Sequence, residues 1–273
     1  GRITSLQHNL VAQFPVPFVH LQLAQSITLR ERDGPLVQGE PQSDQTTKYL
    51  PESLKRSGAV LTAATMTGSF TLWKYMIDEH SWHLAVVVDL CTPAAVVTNV
   101  AVDTLGGLVF WSERQVNPTP RSAQVHDRIR GAELYVDLSN HRLRGTAPTT
   151  ILASSCNSAF AVPAGCWFVR EHTIMFYSRA KGRVSSMTLQ ASQDDAFHAC
   201  IHSNVSAGNV SNLIAVVGVV VHEIQLNNAA LDVMYTRTIS SELLQQGLVD
   251  IRAVNGQLLL LTNTGLRMMS LFS

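Results

Sequence analysis

Two short clusters hold the residues best suited to chemistry. In His198-Ala-Cys200-Ile-His202 three soft ligands alternate with Ala199 and Ile201, so a strand places all three on one face. A zinc ion takes its ligands at about 2 Å, whereas residues four apart are separated by roughly 13 Å along a strand. His198 and His202 therefore cannot share one ion. At most two ligands come from this segment and the rest must come from elsewhere, so it reads as a sheet face with hydrogen-bonded histidines and no metal.

The second cluster is denser. Asp78, Glu79, His80 and His83 crowd into a turn between two strand candidates, with Trp82 among them. Carboxylate beside imidazole can move protons or bind a divalent ion. A tryptophan in such a place equally suits a protein partner, and a solvated hairpin tip accounts for all of it with no chemistry. The tip is the reading taken forward, with Asp78, Glu79, His80, Trp82 and His83 as partner-binding candidates.

Nothing else builds a catalytic site. His222-Glu223 opens a zinc-protease phrase, but Leu226 stands where the second histidine belongs. There is no G-x-S-x-G elbow, no phosphate loop and no dinucleotide fingerprint. Asp89, Asp103, Asp137, Asp232 and Asp250 end or interrupt strand candidates, where aspartate caps turns. The expectation is a protein with no catalytic residue, no cofactor and no small-molecule substrate.

The elements that position these residues are strands. Phe18–Leu29 alternates Val19, Leu21 and Leu23 with His20 and Gln22, the period of a half-buried strand. Leu84–Leu90, Val96–Val102, Leu108–Trp111, Glu133–Leu138, Thr173–Tyr177, Val184–Leu189, Leu213–Val217, Leu231–Thr236, Val249–Ala253 and Leu258–Leu261 continue the series. Glycine turns at Gly68, Gly106-Gly107, Gly218 and Gly265, with many β-branched residues, favour strand over buried helix. One helix is predicted near 240–246, capped by Ser240 or Ser241 and ended by Gly247. Residues 31–57 and 114–131 read as long polar loops.

A phrase repeats along these strands: an apolar stretch, usually a glycine turn, then an apolar stretch with a large side chain. Its anchors are Trp73, Trp111, Phe176, His222 and Met268, at intervals of 38, 65, 46 and 46 residues. A period near 40–50 residues built of short strands marks a β-propeller, one blade per repeat. The predicted fold class is all-β: one propeller domain over 1–273, with six or seven degenerate WD40-like blades. A two-sheet sandwich, the competing architecture, gives no reason for such a period.

Composition narrows the partners. Lys plus Arg and Asp plus Glu are both 20, so the chain lacks the basic excess of a phosphate-backbone binder, and direct nucleic-acid binding is not expected. No apolar run reaches the length of a membrane span. Gly145–Phe168, rich in Ser, Thr, Ala and Gly, is the one stretch that suggests peripheral contact with a lipid surface. Cys91, Cys156, Cys166 and Cys200 form no CxxC pair and read as buried reduced thiols of an intracellular protein. The sequons at Asn204 and Asn209 are the counter-sign, although chance supplies one or two in a chain of this length. With no initiator Met and no signal peptide, the chain reads as an excised domain of something longer.

From Gly58 to Gln190 the order of features resembles the N-terminal β-propeller of a scaffold nucleoporin, nearest to the tail member of the Y-shaped complex or an inner-ring relative. Leu72-Trp73-Lys74 stands where that family ends a strand in tryptophan-lysine. Val100-Ala101-Val102-Asp103 followed by Gly107-Leu108-Val109-Phe110-Trp111-Ser112 is similar to the family's valine-alanine-valine, turn, strand, tryptophan phrase. Lys181-Gly182-Arg183-Val184 echoes a later turn. The resemblance implies a non-enzymatic scaffold that joins other protein subunits of a large assembly at the nuclear envelope. The family's lipid-packing loop has no residue-by-residue counterpart. The alternatives are a propeller of another complex, such as a kinetochore or vesicle coat, or a secreted propeller enzyme or lectin.

Overall fold

The computed structural model describes residues 2–4, 10–13, 17–24, 27, 29–32, 57–90, 95–116, 127–137, 142–192, 195–204, 210–227, 230–240, 242 and 246–271. The chain divides into two compact units, Gly1–Cys156 and Asn157–Ser273.

In the first unit, β1 (Arg2–Thr4) and β2 (Leu10–Gln13) pair as a short antiparallel ribbon. Sheet 1 has four strands in chain order, β3 (Phe18–Ala24), β5 (Ser57–Thr65), β6 (Ser69–Met76) and β7 (Ser81–Asp89). Sheet 2 runs β8 (Ala95–Asp103), β9 (Leu108–Gln115), β10 (Asp127–Asp137) and β11 (Arg142–Gly145). β4 (Arg30–Arg32) and β12 (Thr149–Leu152) also pair with the long β10.

The β5–β6 turn shows how local chemistry sets this order. Gly68 takes a φ of 89°, and the Thr65 hydroxyl accepts the Ser69 N–H at 3.2 Å. Carbonyls of that turn then accept two further N–H groups: the Gly68 carbonyl accepts from Leu90, just after β7, and the Met66 carbonyl accepts from Val97 on β8, both at 2.8 Å. The facing sides of sheets 1 and 2 close a core around Val60, Phe70, Leu72, Val100, Val102, Val109 and Trp111.

The second unit repeats the plan. Sheet 3 is β13 (Ser158–Val162), β14 (Gly165–Arg170), β15 (Thr173–Ser178) and β16 (Arg183–Thr188). Sheet 4 is β17 (Phe197–Asn204), β18 (Val210–Val217), β19 (Val220–Asn227) and β20 (Ala230–Thr238). Sheet 5 is β21 (Leu248–Val254), β22 (Gln257–Thr262) and β23 (Gly265–Ser270). One core joins sheets 3 and 4 around Trp167, Phe176, Leu213 and Ile224; another joins sheets 4 and 5 around Ile214, Val216, Ile251, Leu258 and Leu260.

Length predicts six or seven repeats, yet the described residues form five sheets of this kind. The first two sheets are long: four strands of sheet 1 extend over residues 18–89, and the main strands of sheet 2 over 95–145. Among the described residues the wide interval from Trp111 to Phe176 holds no extra sheet; the two anchors occupy different strands of their sheets. Trp111 lies on a second strand and pairs with Arg130, whereas Trp73, Phe176, His222 and Met268 lie on third strands opposite Leu61, Trp167, Ala215 and Leu259.

The anchors also differ in depth: Trp73, Trp111 and Phe176 are buried, His222 is half-buried, and Met268 is 65% exposed. Met268 is exposed because β23 is the last strand of its sheet, with no fourth strand among the described residues.

Two smaller expectations change. The loop expected over 114–131 is shorter at both ends, since β9 reaches Gln115 and β10 starts at Asp127. Arg114 and Asp127 close that ladder with paired contacts of 2.9 and 3.2 Å. No helix stands among the described elements: in 240–246 Glu242 is helical, while 241 and 243–245 lie outside the described residues. The polar stretch 33–56 also lies outside the described residues.

Candidate functional site

The Asp78–His83 cluster forms the β6–β7 hairpin tip. Met76 pairs with Ser81, and Ile77–His80 make the turn, with His80 at a φ of 49°. Glu79 Oε2 lies 2.6 Å from His83 Nε2, and the Ser81 hydroxyl lies 2.9 Å from the same nitrogen. Ile77, Asp78, Glu79, His80 and His83 are all exposed, as is Leu84 beyond them.

Trp82 plays a different part. Hairpin register sets it opposite Tyr75, with ring centroids 5.4 Å apart. Its body packs against the cluster of Leu61, Ala63 and Trp73. Such a cross-strand aromatic pair fixes a hairpin rather than reaching beyond it. The surface on offer is thus two carboxylates and two imidazoles flanked by Ile77 and Leu84, on a tip held by Trp82. A proton-transfer site needs a recess that excludes water, and an open tip has none.

His198, Cys200 and His202 share one face of β17, as expected, but Cys200 and His202 face a protein core. Burial pushes the Cys200 thiol up to about 12, and it pushes His198 down against the opposing pull of Asp250. Cys156 is likewise pushed up to about 12 by burial, opposed by a hydrogen bond with Ser112. Cys156, Cys166 and Cys200 are buried thiols; Cys91 lies outside the described residues. High thiol pKa means little thiolate, so Cys156 and Cys200 are poor nucleophiles. Among the described residues no group of three or more metal-binding side chains converges.

Two buried polar clusters escape a reading by spacing. Glu223 Oε1 accepts Asn212 Nδ2–H at 2.7 Å and lies 3.3 Å from His202 Nδ1, across three strands of sheet 4. In sheet 2 the Trp111 indole N–H donates to Glu113 Oε2 at 3.2 Å. Arg130 Nη1 lies 3.4 Å from Glu113 Oε1, and its Nη2 donates to the Pro148 carbonyl at 3.1 Å. The one available signal was a charged residue inside an otherwise apolar strand, as in Val-Val-His-Glu223-Ile. The segment Gly145–Phe168 is strand and turn, and Phe160, Trp167 and Phe168 point into packed protein. That leaves little of the apolar stripe a lipid surface needs.

No protein-family model matches the sequence, and no curated protein is similar enough in sequence to count as a relative. Solved structures are similar in fold. The BBS1N chain from a crystal structure in complex with ARL6DN aligns at TM-score 0.51 and 10% identity, over 96% of this chain and 70% of that one. The fold is a β-propeller. It is written here in five blade-like sheets, and the likeness extends to fold alone. Weaker alignments reach Saccharomyces cerevisiae Sqt1, at TM-score 0.46 and 10% identity over 79% of this chain and 68% of that one. A periplasmic gluconolactonase of Pseudomonas aeruginosa aligns at 0.47 and 11% identity, over 78% of this chain and 63% of that one.

Proposed function

We propose that this chain is a non-enzymatic propeller scaffold that joins other protein subunits, with the β6–β7 tip as a contact. The observation that carries the reading is the tip itself. Trp82 and Tyr75 stiffen its base while Ile77, Asp78, Glu79, His80 and His83 stay exposed, so a partner meets a mixed surface at small ordering cost. BBS1N, whose fold is similar, is a propeller crystallised with a protein partner. The free, buried thiols Cys156, Cys166 and Cys200 favour an intracellular setting over the secreted enzyme or lectin. Membership of a large assembly at the nuclear pore rests on the phrases around Trp73, Trp111 and Gly182 and is the narrower part of the proposal.

The test is affinity capture from cells with the wild-type chain and an Asp78→Lys/Glu79→Lys variant. Specific subunits should be recovered with the first and lost with the second, at equal expression and melting temperature. Unchanged recovery would remove the tip from the proposal, and a turnover activity in the purified chain would overturn the scaffold reading.

A further inference from the structure

β3 is held to the first unit unlike its neighbours. Among the described residues it is the edge strand of sheet 1, pairing with β5 alone, and none of its side chains is fully buried. Leu21 and Leu23 are 58% and 66% exposed, so one face of the strand contributes little apolar burial. On the other side, His20 reaches the next strand of its own sheet and the adjoining sheet 2. Its Nε2 lies 3.0 Å from the Thr62 hydroxyl on β5, and its ring hydrogen-bonds the backbone of Val100 on β8.

We propose that β3 is an acid-sensitive latch: neutral His20 pins the edge strand to β5 and β8, and uptake of a proton releases it. The surroundings leave an imidazolium without a counter-ion among the described residues. β5 carries no charged side chain. The one carboxylate on β8, Asp103, lies on the face opposite Val100. Across the core, Lys74 on β6 has the wrong sign, and Glu113 on β9 is already engaged by Trp111 and by Arg130 on β10. Burial accordingly lowers His20 from 6.5 to about 4, with the Val100 hydrogen bond opposing the shift.

The sign follows from linkage. Between about pH 6.5 and pH 4 the detached strand binds more protons than the docked one, so opening increases as pH falls. The two values give about a twentyfold rise in the opening equilibrium of β3 from pH 7 to pH 5. Release bares the β5 edge, which could then accept another extended segment.

Hydrogen exchange of the whole chain at pH 7 and pH 5, corrected for intrinsic rates, tests this. Amides of β3 should show the twentyfold rise while the β8–β9 hairpin stays constant, and His20→Gln should abolish the pH dependence. Constant β3 protection to pH 5, or a parallel rise in β8–β9, would overturn the latch. Should the variant fold poorly, an imidazole titration of wild-type His20 decides the matter: a midpoint near 4 supports the latch, and one at 6 or above refutes it.

Discussion

Replacing Trp111 tests the core of the first unit most directly. The ring has no exposed surface and packs among Val97, Val100, Val102 and Val109. Removing a buried indole and leaving a cavity costs about 3–5 kcal/mol. The upper half of that range applies, because Glu113, itself buried, also loses the indole N–H at 3.2 Å. At roughly 2–4 °C per kcal/mol for a chain of this size, Trp111→Ala should lower the melting temperature by on the order of 10 °C. Calorimetry should show the loss in the first unit's transition if the two units melt separately. Trp111→Phe keeps most of the apolar body but not the hydrogen bond, and should cost about 1–2 kcal/mol. Met268, an anchor of the same repeated phrase, is 65% exposed, and Met268→Ala should cost under about 0.5 kcal/mol. Equal shifts for Trp111→Ala and Met268→Ala, or less than about 2 °C for Trp111→Ala, would refute the reasoning.

Gly165→Ala should be severely destabilising or prevent folding, because φ is 155° and an added Cβ would collide with the Tyr177 carbonyl; expression and melting of the variant check it. Cys156 and Cys200 should resist a thiol reagent at pH 8 in the native protein and react without reductant in denaturant, with intact mass counting the labels. Glu223→Ala should cost about 1–3 kcal/mol in urea unfolding, since it removes the acceptor of Asn212 Nδ2–H and one partner of the buried His202. Glu223→Gln, which keeps an acceptor, should cost less.

The strands were legible because each carries its own signal: β-branched runs in Ala95–Asp103, a glycine at the turn after Thr65, and alternation in Phe18–Leu29, which marked a strand but not its end or its faces, since β3 stops at Ala24 with Leu21 and Leu23 exposed and His20 and Gln22 half-buried. The number of sheets was not. Counting by Trp111 and Phe176 treats a second strand and a third strand as equivalents, and only register tells them apart. The exposed tip was readable from Asp78, Glu79 and His80, because three consecutive polar residues followed by Ser81 suit a turn rather than the inside of a sheet. Trp82 was not, since its inward packing depends on facing Tyr75. Glu223 stood out as a charge in an apolar strand, but its partner His202 lies 21 residues away and meets it only through the pairing of β17, β18 and β19.

Depth and function are lost from the repeat for the same reason. A repeated phrase specifies a strand of given polarity, while burial depends on what lies beyond that strand. Phe176 has β16 outside it and the sheet 3–4 core beneath it; Met268, in the same phrase, lies on the last described strand of its sheet. Turns are freer still, because the ladder asks of them only that they reverse the chain. Thr65–Ser69 meets that demand with a glycine and a threonine hydroxyl, and Ile77–His80 meets it with an exposed isoleucine, two carboxylates and an imidazole. The ladder has no need of those side chains. Their exposure at the end of a hairpin stiffened by Tyr75 and Trp82 is why this turn, rather than another, carries the proposed contact, and charge reversal there, with folding intact, separates recognition from architecture.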